Sequence, residues 1–402
     1  LDIQSGTFNY TDVDLISNYY PWYVDAPYKD ADGHNYLALL TAVGTSIGIA
    51  LIWGAFSKAK NYKKYVYWLH LAIRYKVAGV MLYFALVKVF PVQMPFPSLS
   101  QLNTAVGDYT PGRLFWIRTG ASESYEIFGG IVELTGTLLL LSRRYYNLGA
   151  FILLAVMIPV IMINIGYDAG VQIKAILIVG LLFVLVAHNL QALYNFFVKG
   201  LSERLSSVAS PDFNSKRSRN LRLALKLFFI VFFFGFRAYS VGYSYFTGKT
   251  YKRPSGTGLS NVRGVYNVSE FQLNDSILPY NPLDSNRWQN VIFEEWNTVT
   301  IKQAKPILLQ ASNKVRKTEI HSNVGRHYYQ YNADTTTALL TLKNRANDAD
   351  SLSFTFTRPD NNRIILKGIN ANKDSISIVL DRLDREYPLI EGRHPKEYTT
   401  IF

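Results

Sequence analysis

Ionisable side chains inside long apolar runs are the residues best placed to do chemistry in this sequence, because a charge kept from water is costly without a partner or a task. Arg74 lies in the run Tyr65 to Phe90 and Glu133 in the run Glu123 to Leu141, each about nine residues from the end flanked by basic residues. At about 1.5 Å per residue both should sit roughly 13 Å deep. An interhelical ion pair between them is the first expectation, and a proton-relay or ligand site the alternative. A second group gathers near the opposite ends of the runs: Lys88, Glu126, Asp168 and Lys174, with Tyr83, Tyr125 and Tyr167. Carboxylates, ammonium groups and phenols together can line a cavity and hydrogen-bond a quinone or a lipid head group, although interfacial tyrosines also form aromatic belts. A tight turn would bring Asp168 within reach of Lys174. His70 and His188 fall near helix ends and would permit axial haem ligation if their helices are neighbours, but no second histidine pair accompanies them. His321 and His327 are six residues apart and lack an acidic cluster, so no metal site is expected there.

The surrounding composition says what holds these groups. Of 402 residues, 49% are hydrophobic and only 18% charged, against about 25% charged in soluble domains. There is no cysteine, which removes disulfides, Fe–S clusters and thiol chemistry and leaves any redox role to a borrowed cofactor. No GxSxG, HExxH or phosphate-cradling glycine loop is present, so a hydrolase or nucleotidase has no support.

Six apolar runs are long enough to read as membrane spans: about Tyr36–Phe56, Tyr65–Phe90, Glu123–Leu141, Asn147–Ile165, Val171–Phe197 and Leu221–Phe246. The net charge of +13 flanks these spans, which points to a lipid bilayer and away from nucleic acid. Twelve Lys/Arg lie in the loops after the first, third and fifth runs, against four in the leader and the loop after the second. The positive-inside rule therefore places both termini outside the cytoplasm. An external start at Leu1 suggests a cleaved signal or a further helix upstream, and residues 1–35 read as an external segment.

After residue 247 strand-like alternation replaces the apolar runs. Asn290–Ile301, His327–Tyr331, Thr336–Leu342, Leu352–Thr357, Arg363–Lys367 and Ser375–Leu380 read as an antiparallel meander suited to a small barrel or sandwich. The expected architecture is a membrane helical bundle over residues 36–247, followed by an all-β extramembrane domain over residues 248–402.

Within this frame, Arg74 to Phe197 resembles the DoxX-like family of membrane proteins. The resemblance is carried by Lys88 to Pro95, Thr110-Pro111 leading to Leu114-Phe115-Trp116, Tyr125 to Glu133 with Gly129 and Gly130, Arg143-Arg144, Leu148-Gly149-Ala150, and Asn164 to Lys174. Asp350 to Leu380 is similar to the β-rich tail of larger Bacteroidetes-type members, whose aromatic closing motif is absent here after Leu389. The resemblance implies a four-helix core over about residues 65–197 in the bacterial inner membrane, with the β domain in the periplasm. Some relatives are subunits of quinone-reducing enzymes, and many have no assigned activity. Two functions follow as expectations: an accessory subunit whose β domain contacts a partner protein, or a quinone-linked oxidoreductase subunit using the Lys88, Glu126, Asp168 and Lys174 group.

Overall fold

The structure is a computed structural model describing residues 36–57, 61–169, 171–209, 211, 215–248, 254, 256–309, 319–320, 322–369 and 373–391. The segment 1–35 and His321 lie outside the described residues. The chain divides into two compact units, Leu1–Gln93 with Ser124–Gly248, and Met94–Glu123 with Lys249–Phe402. The chain passes between them near the expected boundary at 247, and also before and after residues 94–123, which belong with the C-terminal unit.

The helices are α1 (Tyr36–Phe56), α2 (Lys63–Val89), α3 (Leu99–Leu102), α4 (Pro111–Gly120), α5 (Glu123–Leu140), α6 (Tyr146–Gly166), α7 (Gln172–Val186), α8 (Leu190–Lys199), α9 (Lys216–Phe229) and α10 (Phe236–Phe246), with a single turn α11 (Pro388–Glu391) after the last strand. Among the described residues three helices are long and apolar enough to cross a membrane: α2, α6 and Gln172–Lys199, where a short 3-10 turn joins α7 to α8. The other three expected spans depart from that standard for different reasons. Of α1, the described side chains cover the shorter apolar stretch Val43–Phe56. Three glutamates, Glu123, Glu126 and Glu133, break the apolar character of α5. A π-helical turn, Ile230–Gly235, divides the last run between α9 and α10.

The core of the helical unit is Val77, Ala78, Met81, Leu140, Ala150, Leu153, Leu182 and Leu185, each at most 1% exposed. Glycine decides how closely α5 can pack. A Cβ on Gly130 would lie 2.6 Å from the Val89 amide nitrogen, and one on Gly149 would lie 2.6 Å from the Gly136 carbonyl oxygen. Thus α5 meets α2 on one side and α6 on the other through backbone contact, as small residues permit in membrane helices. At the end of α2 the backbone turns extended at Phe90, and the following proline has no N–H to continue a helix.

The strands of the C-terminal unit are β1 (Gly264–Leu273), β2 (Ser276–Ile277), β3 (Asn290–Phe293), β4 (Thr298–Lys302), β5 (His327–Asp334), β6 (Leu339–Asn344), β7 (Ser351–Thr357), β8 (Arg363–Ile369) and β9 (Ser375–Leu383). Neighbours pair antiparallel from β3 through β9, and β1 pairs with both β3 and β9. Eight strands therefore close into a barrel, with β2 a two-residue extension against β1. The interior is filled by residues such as Tyr266, Phe271, Phe293, Ile301, Leu342, Phe354 and Ile378, and closure removes the exposed edges of an open sheet.

Residues 94–123 pack on the barrel's outer wall. Ser98 and Gln101 form a capping box at the start of α3, where the buried Glu294 carboxylate accepts the amides of Leu99 (3.3 Å) and Ser100 (2.7 Å). Ser100 Oγ lies 2.9 Å from Thr300 Oγ1, and the Val324 amide donates to the Asp108 carbonyl at 3.0 Å. Beneath them Arg326, 1% exposed, donates Nε to Thr300 Oγ1 at 2.8 Å. Burial pulls its pKa down to about 10. Burial likewise pushes the Glu319 carboxyl up, opposed by Arg345 and by hydrogen bonds from Trp296 and Thr298. Alternation inside a barrel leaves every second side chain facing out. The inserted segment buries outward-facing Ile292, which packs against Leu99, and the polar groups Thr300, Glu294 and Arg326 on and beside β3 to β5.

Candidate functional site

The helical unit contains a cavity of about 740 Å³, within the roughly 300–1,000 Å³ usual for ligand pockets. Its walls come from the first half of α2, the α5–α6 junction and α9 with the π turn: Tyr67, His70, Leu71, Arg74 and Tyr75; Leu141, Arg143 and Tyr146; and Ser218, Arg222, Lys226, Phe228, Phe229 and Phe233, among others. Tyr75 meets Phe229 edge to face at 4.7 Å, which ties α2 to α9. A π turn shifts the helical register and recurs at functional positions. Here it carries Phe233 into the lining.

Arg74 is 7% exposed and anchored at this wall. Its Nε donates to the Leu140 carbonyl at 2.7 Å, and its guanidinium carbon lies 4.8 Å from the Tyr146 ring centre. The expected Arg74–Glu133 pair is not formed, because Glu133 is taken by Lys88, whose Nζ lies 2.7 and 2.8 Å from its two oxygens. The depth estimate failed because it assumed that α2 and α5 end at one level. In fact Arg74 is level with Leu140, the last residue of α5, so α2 overruns its neighbour by about three turns.

That pairing also draws Lys88 out of the expected four-residue group. Glu126 is 1% exposed on α5, while Tyr125 and Tyr167 are 65% and 38% exposed. Asp168 takes a left-handed backbone (φ 49°) and accepts from Gln172 Nε2 at 3.3 Å, and Lys174 is half-buried in the first turn of α7. The cavity therefore stands at the opposite ends of α2 and α5 from the group that the sequence singled out.

His70 and His188 do meet, with ring centres 5.4 Å apart and an interplanar angle of 71°. Rings at contact distance leave no gap for a porphyrin. His188 Nε2 also lies 3.2 Å from the Tyr146 hydroxyl and 3.0 Å from the Ser206 carbonyl, so the pair does not fit axial haem ligation. In the barrel unit, His327 Nε2 lies 3.2 Å from the Lys305 carbonyl, and burial lowers its pKa.

Sequence reasoning missed Arg143, Arg222 and Lys226 as lining residues because it counted the first two only for topology and passed over Lys226 inside the last apolar run. The signal was present in the spacing: Ser218, Arg222 and Lys226 recur every fourth residue and so share one helix face. No family model, curated protein or solved structure matches the chain.

Proposed function

We propose that this protein is a membrane-embedded accessory subunit, DoxX-like in its helical part, that holds an amphiphile in the Arg74 cavity and offers its barrel to a partner protein on the periplasmic side of a bacterial inner membrane. The observation that carries the reading is a cavity of ligand size with largely apolar walls and a buried, anchored arginine. A guanidinium against lipid-facing helices is expensive without a polar group to meet it. Protein purified in mild detergent should retain a long-chain amphiphile visible by native mass spectrometry. Ala72→Trp, which fills the cavity from the α2 wall, should reduce that retention several-fold. A wild type that carries none, or a variant that carries as much, would defeat the reading.

The topology has its own support. Residues 94–123 and 249–402 share one unit, so an even number of crossings must separate them. Four crossings, by α5, α6, α7–α8 and α9–α10, satisfy that parity. Although α5 is rich in glutamate, it lies against α2 from Gly130, beside Val89, to Leu140, which accepts from Arg74, ten residues or about 15 Å along α5, with Glu133 neutralised by Lys88 on the way. Cysteines placed singly at Ser215 and Ser260 should label from opposite sides of the membrane. Labelling of both from one side would refute this arrangement.

A quinone-linked oxidoreductase subunit is the second reading. It is favoured by His70 Nδ1, a buried cavity-wall atom without a hydrogen-bond partner among the described residues. A quinone carbonyl could accept from it, and a quinone in the lipid extract would decide for this reading.

A further inference from the structure

We propose that the head group held in this cavity is a phosphate, so that the site selects a phosphate-bearing lipid over a neutral amphiphile; the inference rests on the cavity reading above. Charge complementarity is the first argument. Arg74, Arg143, Arg222 and Lys226 all line the cavity, and none of its lining residues is acidic among the described residues.

The second argument is the order of the lining along each helix. On α9, Ser218, Arg222 and Lys226 form a polar stripe that Phe229 and Phe233 continue on the same face. The wall thus changes from basic to aromatic along one axis, as an amphiphile changes from head to tail. A free phosphate ion would have no use for the apolar half.

The third argument is how Arg74 is held. Nε is committed to the Leu140 carbonyl and the planar group lies over Tyr146, while the terminal nitrogens have no hydrogen-bond partner among the described residues. A guanidinium fixed in this way presents a fork of donors whose spacing matches phosphate oxygens. Its level is also right, because Leu140 ends α5 and Arg143 follows within a turn. The phosphate would therefore sit where α5 gives way to α6, with its chains directed toward the π turn.

The test uses the full chain in nanodiscs of phosphatidylcholine containing equal minor fractions of phosphatidic acid and ubiquinone, with bound species read by native mass spectrometry after exchange. Phosphatidic acid should be enriched roughly tenfold or more over both. Arg74→Gln and, independently, Lys226→Gln should each lower that enrichment several-fold. Lys226→Gln keeps the test valid if loss of the Leu140 bond unfolds the first variant. Retention of phosphatidylcholine or ubiquinone without preference would overturn the phosphate assignment and leave the cavity reading intact, whereas retention of nothing would overturn both. Displacement of the lipid by equimolar glycerol phosphate or inorganic phosphate would assign the site to a soluble anion and sink the lipid proposal.

Discussion

Glu133→Leu is expected to destabilise the helical unit by roughly 3 to 5 kcal/mol, the usual cost of stranding one member of a buried ion pair. Lys88 and Glu133 are 16% and 3% exposed at their side chains, and both carboxylate oxygens are within 2.8 Å of the ammonium. Lys88→Met should cost a comparable amount. The double variant Lys88→Met/Glu133→Leu should recover most of the loss, because two apolar side chains leave no orphaned charge. Thermal unfolding of the four proteins in one detergent measures this cycle. Arg74→Leu combined with Glu133→Leu should instead give additive losses, because these two residues do not touch. Recovery in that second double variant, with none in the first, would mean that the pairing is wrong.

Glu294→Leu should have an effect of similar size in the barrel unit, roughly 3 to 5 kcal/mol. Its carboxylate is buried, receives the Leu99 and Ser100 amides, and lies near the fully buried Arg326. Removing it leaves two helix-start amides and a guanidinium uncompensated. Glu294→Gln keeps one of the two acceptor oxygens and loses the charge and the other acceptor, and it should cost less, about 1 to 3 kcal/mol. Limited proteolysis supplies the second readout, since weakened docking should make the 94–123 segment cleavable before the barrel itself. Equal stability and equal protection for all three proteins would show that Glu294 does not hold the segment.

Periodicity and turn chemistry were legible wherever structure was regular. The apolar runs at α2, α6 and α7–α8 announced long helices, and the alternation from His327 onward announced strands. The closing strand β1 escaped because a bulge between Val268 and Glu270 shifts its register. Val268 and Phe271 both reach the core although they are three residues apart, which defeats a search for period two. Asn290–Ile301 read as one strand because the Glu294–Asn297 connection between β3 and β4 is short and contains Trp296 and no glycine or proline. The candidate site was legible by residue type and illegible by partner. Arg74, Glu133, Lys88, His70 and His188 were all singled out, but which charge meets which depends on how far α2 overruns α5, and that is set where Gly130 meets Val89. A single sequence offers no means of converting that glycine into a register.

The inserted segment also sets a schedule for the chain's birth. Ser100 and the Glu294 carboxylate that receives its amide are 194 residues apart. At about 5 to 20 residues per second the ribosome needs on the order of ten to forty seconds to supply the second after the first. During that interval the segment has left the ribosome with no barrel to dock on, while the helices between its end and Lys249 are still being made. A nascent chain so arranged completes its barrel unit only after helix α10, which makes the interval before β1 emerges the one in which proteases and holding chaperones have access to residues 94–123.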